Sequence, residues 1–595
     1  MGLKDRFMTS KEKVQLLREQ MEKENIDAFV VFSADPHMSE YLPNQWKERQ
    51  WLTGFTGSAG FAVVTKENAG LWTDGRYFIQ APKELAGSDF ELMKMGVEGV
   101  EDYISYLKNR LKEGAVVGAN PLATSHHNWE EMRGGLAPAG ITLVASDLLK
   151  DVWTSREQNE SKPIFVHPVE RAGKSVQEKL EDIRKEMRRK EASMHIIASL
   201  DDVAWTLNLR GSDVEANPVF LGFVVLGLSN AWVFLEKEQL STDAIVQMEA
   251  AGVQIESYSA FYPMLEKLEG EKVLVSSSTN QAVFEALSGN SIIVSPVPGN
   301  LMKAMKNPAE LEGFRTVMVK DGVAMVKFLY WITTNVGKVP MTEFSIGQQL
   351  ERFRAEQEGF VGPSFGSIVG YEGNDAIPHY SAPQEGSKEV RAEGSILVDS
   401  GGQYLEGTTD ITRTFPLGEV SAQYKRDTTL VLKGMIRLSM VKFPKGTKGV
   451  HLDAFAREAL WAEGKDYHHG TGHGVGSFMN VHEGPQNIRK DMNPQDLLEG
   501  MVVSNEPGLY IEKQYGIRHE NLIAVRKAES TAFGDFMEFE TLTICPFFSS
   551  VIEKDLLSPK EIDWLNNYHQ WVREKLGDRL QGEEKEWLLK MTEPI

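Results

Sequence analysis

The sequence predicts an α/β (α+β) protein of three domains, and three observations carry that reading. The chain has 595 residues, whereas a single hydrophobic core stops growing at about 250–300 residues. Short apolar runs of strand length alternate with turn residues and charged helical stretches. An opening order of helix, strand and tryptophan-containing segment recurs once, which suggests two copies of one domain type.

The first domain, residues 1–158, opens with a helical pattern over residues 11 to 25 and the buried-strand run Ala28–Phe32. Strand runs follow at residues 60 to 64 and 70 to 73, with Trp51, Leu52, Thr53, Gly54 and Phe55 between. A polar stretch from Ser155 to Ser161 reads as a linker. The second domain, residues 159–305, repeats the order: a charged helix over residues 175 to 192, a strand from Met194, then Asp201 to Leu207. Pro296, Pro298 and Gly299 mark the next boundary. The third domain, residues 306–595, starts with Asn307 as an N-cap and Pro308 as first helical residue. Its tail, residues 558 to 595, is an amphipathic helical stretch whose Trp564, Trp571 and Trp587 pack on the domain.

Asp and Glu total 85 against 64 Lys and Arg, a net charge of −21. That charge repels polyanions, so nucleic acid and anionic membranes are poor partners. Cys545 is the single cysteine, so no intrachain disulfide forms, and it reads as a buried structural thiol in a reducing compartment. The N-terminus carries charges of both signs and no apolar core of a signal peptide. Gly2 lacks the Ser or Thr of a myristoylation signal, since position six is Arg6. No run is long enough to span a bilayer. The expectation is a cytoplasmic protein.

The unusual chemistry lies between residues 362 and 524. In LVDSGGQYLEGTTDITRTF a buried strand ends in Asp399, turns through Gly401 and Gly402, and returns as a β-rich run from Thr408 to Thr412 carrying Asp410. Two carboxylates in apolar strands are costly unless a charge compensates them, and a metal does so. In YHHGTGHGVGSFMNVHEGP, glycines at 470, 472, 474 and 476 alternate around His469 and His473, with His482 beyond. The spacing is not that of a dinucleotide site. It lets backbone approach a crowded centre. Two further strand ends deliver Glu506, cut off by Pro507, and Glu520. Asp399, Asp410, His473, Glu506 and Glu520 together offer four carboxylates and one imidazole, which balance two divalent cations. Oxygen-rich ligation suits Mn²⁺ or Co²⁺, with Zn²⁺ also accommodated. Two bridging carboxylates would hold the ions ~3.5–4 Å apart, as in two-metal hydrolases.

The order Asp, Asp, His, Glu, Glu resembles the pita-bread metallopeptidases. The strings DSGGQYLEGTTDITRT, HGTGHGVGSFMNVHEGP, SNEPGLY and GIRHEN resemble aminopeptidase P, the Xaa-Pro aminopeptidase family, most closely. DPHMSEYLPNQWKERQWLTGFTGSAG, WTDGRYFIQA, DDVAWTLNLRGSD and the C-terminal WLNNYHQWVRE resemble its long, three-domain cytosolic form. The resemblance implies a pita-bread catalytic domain, with a curved antiparallel sheet backed by helices, preceded by two related creatinase-N-like α/β domains. It implies that Asp399 holds one metal, His473 and Glu506 the other, and Asp410 and Glu520 bridge both. It makes Glu506 the proton shuttle. His379 and His482 then steady substrate and intermediate, with His469 a further site histidine. Arg518 is expected to orient Glu520 or neighbouring carboxylates. The implied substrate is a peptide with proline in second position, and the implied assembly a homodimer, with Trp461 as a candidate contact or else a buried tryptophan of the monomer. Prolidase, which prefers dipeptides, is the main rival. Methionine aminopeptidase lacks two such N-terminal domains, creatinase lacks the ligands, and non-catalytic binding proteins on this fold usually lose them.

Overall fold

The computed structural model describes residues 8–157, 160 and 162–595. The readings at Gly2 and Arg6, and residues 158, 159 and 161 of the expected linker, lie outside them. The chain divides into two compact units. The first comprises residues up to 167 together with 174–215 and 219–299, and the second comprises 168–173, 216–218 and 300–595.

The first unit holds two six-stranded sheets. One has the spatial order Phe90–Lys94, Ala69–Thr73, Phe61–Thr65, Ala28–Phe32, Val116–Ala119, Thr142–Ala145. The other runs Val253–Ser257, Ala231–Leu235, Phe223–Gly227, Met194–Ile197, Lys272–Val275, Ser291–Val294. Numbered by chain position within each sheet, the two orders are the same, and parallel and antiparallel pairings match position for position. The expected repeat is therefore real. Even the leading helices start alike. Thr9 with Glu12 caps Ser10–Lys23, and Ser175 with Glu178 caps Val176–Arg189, each a reciprocal capping box. The Trp51 and Trp205 segments are both short helices, Glu48–Thr53 and Leu200–Leu207. Arg156, in the described part of the linker, reaches buried Glu48 at 2.7 Å, which ties that stretch down. The first unit ends at Gly299, within the stretch Pro296 to Asn300 where a boundary is expected, and a helix, Pro298–Ala304, starts there. Proline is well tolerated in a first turn, so it began this helix and did not interrupt it.

The second unit is antiparallel. Helices Pro308–Asn335 and Glu343–Ala355 lead into strands Ile368–Tyr371, Ser395–Ser400 and Ile411–Pro416. Helices Ala422–Met440 and Gly449–Trp461 then lead into a second sheet containing Gly472–Gly474, Val502–Asn505 and Asn521–Thr531. The order helix, helix, strands thus occurs twice, the pseudo-symmetry of the pita-bread fold. Asn307 caps Pro308–Asn335 through a capping box with Glu310, and Pro308 is its first residue, as expected. Phe314, Val317, Phe328, Leu329 and Ile332 of that helix are fully buried against the strands. The tail forms Pro559–Leu576 and Gly582–Met591, with Trp564 stacked on Tyr568 and Trp587 against Phe548. Cys545 is buried, and burial pushes its thiol up to about 11, consistent with an inert thiol. Among the described residues no helix is long and apolar enough to cross a membrane.

Candidate metal centre

Three antiparallel pairings assemble the site. Asp399 lies opposite Thr412 in the pairing of Ser395–Ser400 with Ile411–Pro416. Asn505 lies opposite Asn521, and Gly508 opposite Arg518, so Glu506 and Glu520 face each other at the gap between these pairings. The expected β-run from Thr408 to Thr412 is broken. Gly407–Thr408 and Ile411–Pro416 belong to different sheets, and Asp410 sits at the crossing. The glycines do what close approach requires. A Cβ on Gly472 would lie 2.0 Å from the Ser504 carbonyl oxygen, and one on Gly474 2.2 Å from that of Glu483. Gly470 has only ordinary contacts.

Asp410, His473 and Glu520 bring ligand atoms within 4.8 Å of one another. His473 Nε2 is 3.3 Å from Asp410 Oδ2 and 3.4 Å from Glu506 Oε1. Its Nδ1 lies 2.9 Å from the Gly474 carbonyl, which can only accept, so Nδ1 carries the proton and Nε2 faces the acids. Arg518 Nη2 is 2.7 Å from Asp399 Oδ2. Arg518 therefore braces a neighbouring carboxylate across the sheets, while Glu520 is held by Thr412, whose hydroxyl donates to it at 2.7 Å. Arg518 also donates to Tyr510 OH at 2.6 Å, and Tyr510 meets His469 Nε2 at 2.7 Å. His482 packs edge-on to His473, with ring centroids 4.4 Å apart. His379 follows Pro378, whose carbonyl accepts from Arg518 at 3.1 Å. Thr412 and Tyr510 lie within the motif strings, but a lone hydroxyl in a strand carries no pattern that marks it as bracing a carboxylate or an arginine.

Burial, reinforced by Asp410, raises the Asp399 carboxyl even though Arg518 opposes it. Burial pushes Glu506 up to about 7 and holds Glu520 well above the usual range, with the neighbouring carboxylates adding to it. Burial lowers His473, but Asp410 and Glu506 outweigh it and bring it to about 9. One Asp399 oxygen and one Glu520 oxygen are buried without a hydrogen-bond partner. Orphaned acceptors amid mutually repelling carboxylates fit a pair of divalent cations, and the donor set suits hard ions.

These shifts fix the direction of pH dependence. In the metal-free protein the raised Glu506 and His473 contribute stability that is complete below about pH 4.5 and is lost as pH rises through about 7 and then about 9. Cations displace those protons, so metal binding should tighten over the same rise. Adding Mn²⁺ to metal-free protein near pH 6 is expected to release roughly two to three protons per chain. Calorimetry in buffers of different ionisation enthalpy reads that number, and no release at pH 6 would contradict the site.

Comparison with known proteins gives a consistent picture. The metallopeptidase family M24 matches residues 312–527, and the C-terminal region of peptidase M24 matches 535–595. The creatinase/prolidase N-terminal domain matches twice, at 13–151 and 155–310. A probable Xaa-Pro aminopeptidase P of Coprinopsis cinerea is 39% identical, covering 99% of this chain and 98% of that protein. Aminopeptidase P1 of Arabidopsis thaliana is 37% identical over 96% and 97%. The crystal structure of X-prolyl aminopeptidase from Caenorhabditis elegans, described as a cytosolic enzyme with a di-nuclear active site, superposes with a TM-score of 0.95. It is 33% identical and covers 99% of this chain and 100% of that one.

Proposed function

The chain belongs to the aminopeptidase P family of metallopeptidases, and from that premise we infer a dinuclear-metal aminopeptidase that releases the first residue from peptides with proline in second position. The cluster of buried Asp410 and Glu520 with half-buried His473, and Glu506 at 3.4 Å from His473, carries the reading. Asp399, Asp410, His473, Glu506 and Glu520 would hold the ions. When bound, two divalent cations supply Lewis acidity and lower the pKa of a water toward neutrality. Mn²⁺ is the ion proposed, on the oxygen-rich donor set.

The chain's own groups then do the positioning and the proton work. Glu506 takes the proton of the attacking water and returns it to the departing nitrogen. That nitrogen is proline's, a tertiary amide without a proton in the peptide bond, which with the returned proton leaves as a secondary amine. His379 and His482 donate to the carbonyl oxygen as charge develops on it. Arg518 fixes Asp399 and, through Tyr510, aligns His469. Purified protein, stripped and reconstituted with Mn²⁺, is expected to release arginine from Arg-Pro-Pro. Strong cleavage of Ala-Pro with the tripeptide untouched would instead indicate a prolidase.

Three finer readings belong to the same proposal. The domains are proposed as 1–158, 159–305 and 306–595. A homodimer is supported by Trp461, which is 45% exposed and so not the buried tryptophan of the alternative, alongside exposed Phe455 and Met440. A cytoplasmic location is supported by the single buried cysteine and by the cytosolic description of the Caenorhabditis elegans enzyme.

A further inference from the structure

His379 sits between two anchors, and only one of them belongs to the metal centre. On its N-terminal side the Pro378 carbonyl accepts from Arg518, the residue that also holds Asp399. On its C-terminal side the Tyr380 hydroxyl donates at 2.8 Å to Glu343 Oε2. Glu343 is fully buried and opens the helix Glu343–Ala355. A buried carboxylate there is expensive unless its oxygens are occupied, and this one has both occupied. Oε1 accepts the Tyr371 backbone N–H at 2.8 Å, and the Asn374 side-chain amide reaches both oxygens at 3.1 Å. The same amide lies 3.0 Å from the Tyr380 oxygen.

These donors all lie on the segment from Tyr371, the last residue of its strand, to Tyr380, and that segment carries His379. Its floor is equally fixed. A Cβ on Gly516 would fall 1.7 Å from the Asp375 carbonyl oxygen, so the loop lies directly on the hairpin that leads to Arg518. Glu343 itself is held from behind, since its N–H donates to the Lys388 carbonyl at 3.0 Å. The helix start also favours a negative charge at that position. A carboxylate serving only stability would be an inefficient choice in a core that apolar groups could fill. Its partners converge on a single catalytic loop.

We propose that Glu343, through Tyr380 and Asn374, is a positioning residue that sets the His379 imidazole over the substrate carbonyl. This rests on the role given to His379 above. Displacing a catalytic group by ~1 Å can cost up to 10²-fold, so Glu343→Gln, whose amide would turn a donor toward the Tyr371, Asn374 or Tyr380 donors, is expected to lower kcat/KM by ~10- to 100-fold. Tyr380→Phe, which removes one oxygen and leaves the fold intact, should lower it by ~10-fold. The loss should fall on kcat and leave KM nearly unchanged, because His379 acts as charge develops.

The test is a double-mutant cycle on Arg-Pro-Pro with Mn²⁺-loaded enzyme. Glu343→Gln and Tyr380→Phe are each combined with His379→Ala, with metal content and thermal midpoint measured alongside. The proposal is upheld if either change costs activity in the parent but nothing further in the His379→Ala background, at two metals per chain. It is overturned if the loss is the same in both backgrounds, or if it tracks lost metal or lost stability. If His379→Ala alone keeps parental kcat/KM, the role of His379 fails first and the positioning role falls with it.

Discussion

Replacing Asp410 with alanine is expected to lower turnover of an Xaa-Pro peptide by on the order of 10³-fold or more, and His473→Ala by as much. Both residues are in the tight cluster, and His473 Nε2 faces Asp410 and Glu506 together. Loss of Asp410 removes one of the carboxylates proposed to hold the ions, so added Mn²⁺ should not restore activity. The metal-free variant gives an independent readout. Asp410 raises the Asp399, Glu506 and Glu520 carboxyls by repulsion. Removing it relieves that repulsion and takes a partner from His473, so in metal-free Asp410→Ala these carboxyls and the His473 imidazole should all titrate at lower pH than in the metal-free parent. A variant with near-normal turnover in added Mn²⁺ would contradict the assignment. A variant that is inactive because it has unfolded would show in the melting curve.

The second large effect is expected at Arg413, which is not among the proposed metal ligands. Its buried guanidinium donates to the carbonyls of Thr412 and Glu520 at 3.0 and 2.6 Å. It also donates to Asn521 Oδ1 and to the carbonyls of Cys545 and Pro546, and lies over the Phe547 ring. One side chain thus joins the strand behind Asp410, the turn bearing Glu520 and the segment before the C-terminal helices. Arg413→Met keeps much of the stem and strands these buried acceptors, so it should cost roughly 3–5 kcal/mol. Metal occupancy should fall in parallel, since Glu520 loses its backbone support. Arg413→Lys should recover little, because an ammonium cannot reproduce the planar fork. Denaturant melts of the metal-free proteins measure the cost, and a change below about 1 kcal/mol would contradict the role.

Much of the fold was legible because local rules and the fold agree. Asn307 and Pro308 announce a helix start through capping chemistry, and Ala28–Phe32 is apolar because it is buried in mid-sheet. The strands of the metal centre were harder. Gly472–Gly474 has three residues, two of them glycine, and no periodicity exists at that length. It was found through its histidine. Arg518 was expected to orient Glu520 or neighbouring carboxylates. It reaches Asp399, 119 residues away, because the chain leaves one strand at Arg518 and enters another at Asn521. The bracing groups Thr412, Tyr510 and Arg413 were not legible as such. Their partners come from strands and loops that only the tertiary fold brings together.

The central claim is that two ions, held by this one cluster, make the chain an Xaa-Pro aminopeptidase. The most direct measurement is a Mn²⁺ titration of metal-stripped protein, reading arginine release from Arg-Pro-Pro against bound metal. Activity should be absent at the start and reach its plateau at two ions per chain. Full activity in stripped protein, or a plateau at one ion with no further gain, would contradict it.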